Sequence, residues 1–578
     1  MSLTSAFQIG RSALTASQLG LQVAGNNLAN AATPGYSRQS INFSPTASQY
    51  IGNGISIGRG VTADSVRRQI DSALQARLNQ GLSRESAGGH RASVYASVET
   101  TIGELTDNDF SSELSSFFNT WSERANLTKS SAAVVQQGDR LATYVRRQRE
   151  NLGQLRDQID SQIGAAVIQA DGLAQQIADL NSQIASAEVN ATESSSLRDQ
   201  RDGAIAQLAQ LVDVTVIDNG AQGVNVMVGS EPIITGGTSR GITMRRLSVG
   251  GEIVVKVSTR VDPADLSPTS GQIGSMLDTR TTAVDNAIEK LNDTASQLIF
   301  QVNRLHSTGT NRTWLKNTTG TLAVPTADRT RPINDPANLT LASLPFHADN
   351  GGFTVTVRQG DDGPAQTVRI NVDLDGVTAA GLPGTTDDTT PEQLRAALDA
   401  IPGVSASWGS DGKLKLDADA GFSFALSDDS SGSLAVFGLN SYFEGTAADD
   451  IAVRSDLLTD PERLAVGRIV DGQFVENATA LRLSDLKDTR LPTLGDRSIS
   501  DFWRDHVQQV GTQSASARTE AQAAADVRTS LENQRSAISG VSTDEESINL
   551  LTFQRQYQGA AKLISVADQM MDSLLNLV

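Results

Sequence analysis

The chain has 578 residues, which is too many for one hydrophobic core and predicts roughly three to five domains. Its net charge of −19 argues against nucleic acid as a partner, and the lack of cysteine excludes thiolate chemistry and cysteine-bound metals. No apolar run approaches the roughly 18 residues of a transmembrane helix, and the first residues lack the features of a Sec signal peptide. These signals alone predict a cytoplasmic protein without membrane insertion.

The first part of the chain predicts a helix that ends near Ala32 and packs against another helix. Residues 1–30 carry one charge, Arg11, so this helix is expected to pack on several sides or to become ordered only when packed. Apolar and small residues alternate three and four positions apart, as in a heptad seam: Phe7, Gly10, Leu14, Ser17, Leu21, Ala24 and Leu28.

A turn and a strand follow this helix. Pro34-Gly35 suits the corners of a type II turn, and Ile41 and Phe43 alternate with polar residues as in a short strand. Helical spacing then runs over 66–105, where Gly88-Gly89 predicts a break or a bend.

The next regions change from helical to β periodicity. The aromatic stretch 114–121 predicts a core contact between helices, and residues 140–210 predict one long helical run. Alternating valines over 213–262 predict a small β unit, and helical spacing returns over 270–306.

A second β region begins near residue 320. Strand 353–357 is expected to pair with strand 368–372, a hairpin is expected at Asp411-Gly412, and Thr390 is expected to cap one helix. Residues 340–460 contain 19 acidic and 6 basic side chains, which indicates a solvated, outward-facing region.

The last part of the chain returns to helices. Gly540 separates an alanine-rich helix from a terminal helix with a second heptad seam, formed by Leu550, Phe553, Tyr557, Ala560, Ile564, Ala567, Met571, Leu574 and Val578. The two seams predict that both ends of the chain pack together as one helical assembly module.

The predicted fold class is therefore multidomain α + β, with a coiled-coil-like helical stalk formed by the N- and C-terminal segments and β-rich outer domains inserted into it. Four domains are expected: a terminal helical assembly domain (1–45 plus 545–578), a helical rod-like domain (46–212 plus 263–319 plus 495–544), a β-rich domain (213–262 plus 320–345 plus 440–494) and an acidic, β-rich outer domain with one helix (346–439).

No catalytic, cofactor or metal site is predicted. Residues 237–241 match the G-x-S-x-G pattern around Ser239, but apolar strands flank them, so a hairpin loop is expected instead of a nucleophile elbow. Residues 373–376, Asp-Leu-Asp-Gly, resemble the front of a calcium loop, yet the third ligand position and the closing Glu are missing. A strand-end turn is expected there, and the chain is predicted to be structural and not an enzyme.

Two stretches near the ends resemble the signatures of flagellar axial proteins, which include rod, hook and hook-associated proteins. The first is Asn26-Asn27-Leu28-Ala29-Asn30-Ala31-Ala32-Thr33-Pro34-Gly35-Tyr36-Ser37-Arg38-Gln39, and the second runs from Glu546 to Lys562. Residues 114–121, 196–202 and 439–445 resemble the hook-associated protein 1 branch, the first hook–filament junction proteins. Gly559 and Asn27 depart from the residues usual in the family; the first is expected to loosen its helix slightly and the second to have no consequence.

The resemblance implies a subunit of the junction between hook and filament in the bacterial flagellum, exported by the type III apparatus and therefore extracellular without a cleaved signal peptide. Its implied partners are the hook protein, the second junction protein, further copies in a ring, and an export chaperone that holds the C-terminal helix. The terminal helix would line the channel, with the first helix as its outer partner. The expected assembly interface comprises Phe7, Leu14, Leu21, Asn26, Leu28, Asn30, Pro34, Gly35, Tyr36, Leu550, Phe553, Gln554, Tyr557, Ala560, Ile564, Met571 and Leu574.

Three functions are alternatives or additions to a junction subunit. A hook or distal-rod subunit shares the terminal helices, but the chain length and the aromatic stretch 114–121 argue against it. A secreted hydrolase would have to use Ser239. An adhesive role of the acidic region 340–460 could exist beside the structural one, although no residue-level pattern supports it.

Overall fold

The computed structural model describes residues 3–52, 55–103, 109–189, 193–250, 252–360, 363–470 and 473–575, without the side chains at positions 51, 52, 55, 221, 252 and 574. The chain forms two compact units. The first comprises Met1–Val94, Gln158–Arg280 and Ala515–Val578, and the second comprises Tyr95–Asp157 and Thr281–Ser514. Both ends of the chain thus belong to the first unit.

The described helices include several of more than seven turns. A short π-helical segment, Arg280–Asp285, joins the helix Gly271–Thr279 to the helix Asn286–His306. In chain order the helices are Leu3–Ala29 (α1), Ser72–Ile102 (α2), Phe110–Ala125 (α3), Ser131–Ala187 (α4), Ser195–Leu211 (α5), Gly271–Thr279 (α6), Asn286–His306 (α7), Thr326–Arg329 (α8), Leu339–Ala342 (α9), Pro391–Asp399 (α10), Ser433–Phe437 (α11), Ser455–Thr459 (α12), Ala478–Asp485 (α13), Ile499–Ser539 (α14) and Thr543–Leu575 (α15).

The first unit contains antiparallel sheets in the orders β1-β4, β2-β3, β5-β6-β7-β8 and β11-β10-β9. Their strands are Gln39–Pro45 (β1), Gln49–Gly52 (β2), Ile55–Ile57 (β3), Val61–Arg68 (β4), Val214–Asp218 (β5), Val224–Val228 (β6), Glu231–Thr235 (β7), Thr238–Ser239 (β8), Ile242–Val249 (β9), Glu252–Thr259 (β10) and Asp265–Leu266 (β11). The alternating valines of β6 are buried on one face, as period-two patterning requires.

The second unit contains the antiparallel sheets β12-β16-β15, β14-β13-β17, β18-β19 and β20-β21. Their strands are Asn317–Ala323 (β12), Gly351–Gln359 (β13), Ala365–Val372 (β14), Val404–Trp408 (β15), Lys413–Ala418 (β16), Phe422–Ser427 (β17), Phe443–Glu444 (β18), Ala452–Val453 (β19), Arg468–Val470 (β20) and Gln473–Val475 (β21). The predicted pairing is confirmed, because Val355 lies opposite Val368 and Phe353 lies opposite Ile370; the turn residues 361 and 362 lie outside the described part.

The aromatic stretch 114–121 lies in the core of the second unit, as predicted. Phe117 and Trp121 of α3 are fully buried, and their rings lie 5.7 and 5.6 Å from the ring of Tyr442. The Tyr442 hydroxyl donates to the backbone oxygen of Val134, and its backbone N–H donates to the side chain of Asn303. Residues 114–121 and 439–445, two of the stretches that carry the resemblance, therefore meet in one cluster.

Local signals in the sequence account for several element ends. Thr390 caps α10 in a capping box with Gln393, as predicted, and Pro391 occupies the first turn. Thr33 accepts from the backbone of Tyr36 and Gly35 has φ +82, which confirms the expected turn. The hairpin at Gly412 is also present, with φ +81.

Helix continuity differs from the prediction in two places. Residues 88 and 89 do not break α2, while the alternative of a bend stays a prediction. A Cβ at Gly88 would lie 3.0 Å from Ala521 Cα, so the missing side chain serves the close approach of α14. The run 140–210 is divided into α4 and α5. Glu188 accepts hydrogen bonds from the backbone N–H of Ser194 and the guanidinium of Arg198, which connect the end of α4 to the start of α5.

The architecture is multidomain α + β, with long terminal helices and β-rich inserted regions, which confirms the predicted fold class. The division into two units is coarser than the four predicted domains, and that finer division stays a prediction. Among the described helices, none combines the length and the apolar character that a membrane span needs.

Candidate assembly site at the paired ends

Helix α1 presents a face of small residues to α15. The buried residues of α1 are Gly10, Ala16, Ser17, Gly20, Ala24 and Asn27. A Cβ at Gly20 would lie 2.6 Å from the ring of Phe553, and one at Gly10 would lie 2.7 Å from Cγ1 of Ile564. Side chains of α15 thus fill the space that the glycines leave, which lets the two helix axes approach closely.

The seam predicted for α15 is its less exposed side. Ala560 and Ala567 are buried, whereas Tyr557 is 37% exposed at the edge of this side. The half-buried members are Leu550, Phe553, Ile564 and Met571. Gln554 is exposed, the side chain of Leu574 lies outside the described part, and so does Val578.

The seam predicted for α1 is only half correct. Its small members, Gly10, Ser17 and Ala24, are buried, and Gly10 lies against Ile564 of α15. Its large members are not, since Phe7, Leu14 and Leu21 are half-buried and Leu28 is 37% exposed. The reason is steric: helices in close contact need small residues between them, so the larger side chains point beside the contact.

The side chain of Asn27 forms hydrogen bonds to both ends of the chain. It is 1% exposed, and its Oδ1 accepts from the Tyr36 hydroxyl at 2.8 Å and from the Gln39 backbone N–H at 3.0 Å. Its Nδ2 donates to the Gln39 carbonyl at 2.9 Å and to Glu546 Oε2 at 3.2 Å. One amide thereby connects helix α1, the loop that follows it and the start of α15.

Arg38 and Glu546 complete this arrangement. Glu546 is 2% exposed and lies in the first turn of α15, where a negative charge interacts favourably with the helix dipole. Arg38 Nη2 lies 2.7 Å from Glu546 Oε1, and Arg38 Nη1 lies 2.8 Å from Glu545 Oε2. The set of Asn27, Tyr36, Arg38, Gln39 and Glu546 is called the terminal knot below.

Tyr36 acts in the knot as a neutral hydrogen-bonding group. Burial, together with the negative charges of Asp199 and Glu546, raises the pKa of Tyr36 to about 12. Its hydroxyl therefore keeps the proton that it donates to Asn27, and it accepts from Asn26 Nδ2 at 3.3 Å.

The remaining predicted residues of the loop are placed nearer to solvent. Asn26 is exposed and Asn30 is half-buried, and Asn30 Nδ2 donates to the backbone and side-chain oxygens of Asn26 at 3.0 Å. Pro34 and Gly35 are exposed at the turn. They shape the loop, whereas the contacts to α15 are made by their neighbours.

A second set of ion pairs connects strand β4 to helix α5. Arg68 Nη1 lies 2.8 Å from Asp199 Oδ1 and from Asp202 Oδ2, and its Nε lies 3.2 Å from Glu193 Oε1. Burial opposes the charge, yet the carboxylates of Asp202 and Asp199 raise the pKa of Arg68. Stretch 196–202, the third that carries the resemblance, thus supplies two of the carboxylates that bind the end of strand β4.

Part of α15 exposes apolar side chains away from the seam. Leu563, Val566 and Met570 recur three and four residues apart, so they share one side of the helix, and they are 41%, 39% and 56% exposed. Ile548, Leu551 and Leu575 are also exposed. Leu563, Val566 and Met570 are called the α15 stripe below.

Sequence reasoning missed the residues of the knot that hold the ends together. Asn27 has a structural role, contrary to the expectation that its departure from the family has no consequence, and neither Arg38 nor Glu546 belongs to the expected assembly interface. Their periodicity gives no signal, since the polar contacts join positions far apart in the chain. The available hint was a run of three Asn in five residues near a helix end, where Asn is a poor helix former.

Ser239 lies in a hairpin, as expected. It ends strand β8, its Oγ accepts from the backbone N–H of Gly241 at 3.1 Å, and strand β9 follows. The nucleophile elbow requires a helix after the serine, so this local structure does not match it.

Three family models of flagellar proteins match parts of this chain. A family model described as "Flagellar hook-associated protein FlgK helical domain" matches residues 95–321. The models "Flagella basal body rod protein" and "Flagellar basal body rod FlgEFG protein C-terminal" match residues 7–36 and 532–577, which cover most of α1 and all of α15.

Relatives match over nearly the whole chain. "Flagellar hook-associated protein 1" of Escherichia coli K12 is 25% identical over 98% of both chains, and the protein of that name from Bacillus subtilis 168 is 24% identical over 99% of both. The fold is similar to that of the flagellar hook junction protein FlgK from Burkholderia pseudomallei, with a TM-score of 0.51 and 15% identity over 80% of this chain and 100% of that one. The chain therefore resembles the flagellar hook-associated protein 1 family over nearly its whole length.

Proposed function

We propose that this chain is a structural subunit of the junction between hook and filament and that it assembles through α1 and α15. Two features support the proposal together. The ends resemble rod proteins of the flagellar axis, whereas residues 95–321 resemble the helical domain of the hook-associated proteins. A subunit with axial-protein ends and a hook-associated helical domain between them is expected at the hook–filament junction and not in the rod.

The observation that carries the assembly mode is the α15 stripe. Within one chain, α1 covers one side of α15 through its glycines, and the stripe on a neighbouring side remains exposed. Aligned apolar side chains on a helix favour packing against another helix. A neighbouring copy would bury the stripe. In this arrangement the seam packs against α1 of the same subunit, and the stripe packs against the next subunit.

The leucines of α1 supply the complementary part. Leu14 and Leu21 are half-buried and Leu28 is 37% exposed, and all three lie beside the glycine face. Because they recur every seven residues, they form a line along the helix. We infer that the α15 stripe of one copy packs against this line on the next copy.

The other partners follow from the resemblance. The hook protein would contact the subunit on one side of the ring and the second junction protein on the other. Export through the type III apparatus would place the subunit outside the cell, and a chaperone would cover the terminal helix before export. A helix with an exposed apolar stripe is the kind of segment that needs such a cover.

The test is a charge placed on the stripe. The double variant Leu563→Glu/Val566→Glu should fold like the wild type, since both positions are partly exposed, but it should fail to join hooks because each new charge would be buried in the ring. Circular dichroism checks the fold, and electron microscopy of complemented cells lacking the native protein checks filament growth.

A matched control on the same helix is Gln558→Glu, which adds a charge at an exposed position outside the stripe. It should assemble normally. Normal filaments in the double variant would contradict the assembly mode, while loss of filaments in both variants would show only that the helix tolerates no added charge.

The terminal matches to rod proteins favour one alternative, a hook or distal-rod subunit. Electron microscopy of a deletion strain separates the two functions. Cells that keep hooks and lose filaments support the junction, and cells that lose hooks support the alternative.

A further inference from the structure

Three carboxylates meet in the second unit, in the loop between strand β14 and helix α10. Asp373 follows the last residue of β14, Asp375 is two residues further on, and Asp388 lies two residues before Thr390, the N-cap of α10. One oxygen from each of the three carboxylates lies within 4.8 Å of the others. The sequence pattern at 373–376 lacked a third ligand, and the fold brings one from fifteen residues away in Asp388.

The buried member of this cluster has an oxygen atom without a donor. Asp388 is 1% exposed; its Oδ2 accepts from Asn334 Nδ2 at 2.6 Å, whereas its Oδ1 has no hydrogen-bond partner within the described chain. Asn334 Oδ1 is likewise buried without a partner there. Two neighbouring acceptor groups thus face the interior unsatisfied, although buried polar atoms are normally hydrogen-bonded.

The charge of the cluster is also not balanced by protein groups. Within the residues that the structure describes, neither Asp373 nor Asp375 nor Asp388 forms an ion pair with Lys, Arg or His. Backbone contacts nevertheless hold the loop in place, since the Asp373 N–H donates to Thr389 Oγ1 at 2.9 Å and the Thr389 N–H donates to the Asp373 carbonyl at 2.8 Å. The carboxylates are therefore kept together by the loop despite their repulsion.

We propose that this cluster binds Ca²⁺. The ligand atoms that the fold brings together are all oxygens, one from each of the three carboxylates. Oxygen ligands of this kind, with water in the remaining positions, suit Ca²⁺, which accepts six to eight oxygens in flexible geometry. Mg²⁺ requires a nearly ideal octahedron and retains more water, so it suits an irregular loop less well. The bound cation supplies the positive charge that balances the carboxylates. It also connects the end of β14 to the start of α10.

The test uses the full-length protein, dialysed against a chelator and titrated with CaCl₂ by isothermal calorimetry. One Ca²⁺ should bind per chain, and the thermal midpoint of the second unit should rise with Ca²⁺ concentration. The variant Asp373→Asn should weaken binding at least tenfold. Because Asp373 is exposed, this variant is expected to keep the fold, and circular dichroism checks that it does.

Asp387→Asn is the matched control, since it removes an exposed carboxylate from the same loop outside the cluster. It should bind Ca²⁺ like the wild type, and Asp388→Asn should not bind. The absence of binding at millimolar Ca²⁺, or equal binding by the Asp373→Asn variant and the wild type, would overturn the proposal. Equal affinity for MgCl₂ would overturn the assignment to Ca²⁺.

Discussion

At the scale of single residues, the terminal knot depends on one buried amide. Replacing Asn27 by Ala would leave the Tyr36 hydroxyl and the Gln39 backbone N–H without their acceptor and would remove one of the donors to Glu546. Each buried polar group left unsatisfied costs about 1–3 kcal/mol. We expect faster hydrogen exchange in residues 36–40 and in the first turn of α15, measured by mass spectrometry on the free protein.

Asn26 offers a control beside it. Asn26→Ala removes an exposed side chain whose contact to Tyr36 is 3.3 Å long, so exchange in both segments should stay close to that of the wild type. Equal effects of the two substitutions would show that the knot does not depend on Asn27.

A second residue-scale prediction concerns acid stability through His306. This side chain is buried, and the backbone N–H of Ala465 donates to its Nε2 at 3.1 Å, so Nε2 carries no proton and Nδ1 donates to the Asn440 carbonyl at 2.8 Å. Burial lowers the pKa of His306 to about 4. The structure thus selects the neutral ring with one defined tautomer.

The direction of the pH effect follows from that shift. Between the ordinary pKa of about 6.5 and the folded value of about 4, the unfolded chain binds a proton that the folded chain does not. Stability is therefore unaffected above pH 6.5 and falls as the pH is lowered through this window, by about 3 kcal/mol in total.

Urea unfolding of the second unit, followed by tryptophan fluorescence at pH 7.5 and pH 4.5, measures the effect. The variant His306→Gln should lose less stability between the two pH values than the wild type does. Some loss should remain, because burial also lowers the pKa of His506 to about 4. An identical loss in variant and wild type would contradict the role of His306.

At the scale of elements, two glycines of α1 should respond in opposite ways to the same substitution. In Gly20→Ala the new Cβ would lie 2.6 Å from the Phe553 ring, so α1 and α15 must separate. In Gly25→Ala no atom lies within 4 Å, and the helix should gain about 0.5–1 kcal/mol. Limited proteolysis of the two ends should show faster cleavage for Gly20→Ala and slower cleavage for Gly25→Ala, and slower cleavage in both would contradict the close contact.

The elements were predictable where local chemistry decides them. Heptad spacing indicated α15 and its contact side, and the capping residues indicated the start of α10. Spacing could not show which side of α1 is covered, because Gly10 and Gly20 are selected by the bulk of Ile564 and Phe553 across the contact. The break expected at Gly88 is absent for the same reason, since the role of this glycine depends on its contact with Ala521 and not on its own helix.

At the scale of the whole molecule, the two units should differ in their dependence on the terminal helix. Removing residues 550–578 takes the seam from the first unit and leaves every segment of the second unit in place. We expect the truncated protein to keep a protease-resistant second unit and to lose assembly onto hooks. Filaments that grow on the truncated protein would contradict this expectation.

The α + β class and the union of both ends were predictable from periodicity and from the resemblance. The composition of the units was not, because the first unit joins Met1–Val94, Gln158–Arg280 and Ala515–Val578 through tertiary contacts. The carboxylate of Asp388 joins Asp373 for the same reason, and no local pattern in the sequence brings the two together.

The terminal knot also constrains the order in which the chain can fold. Asn27 and its acceptor Glu546 are 519 residues apart, and closing a flexible loop of that length costs about 5–6 kcal/mol of chain entropy. The cost falls when the intervening residues fold first, since folded segments shorten the free loop. The knot is therefore expected to close last, so that both helices remain available to other chains until the rest of the subunit has its native structure.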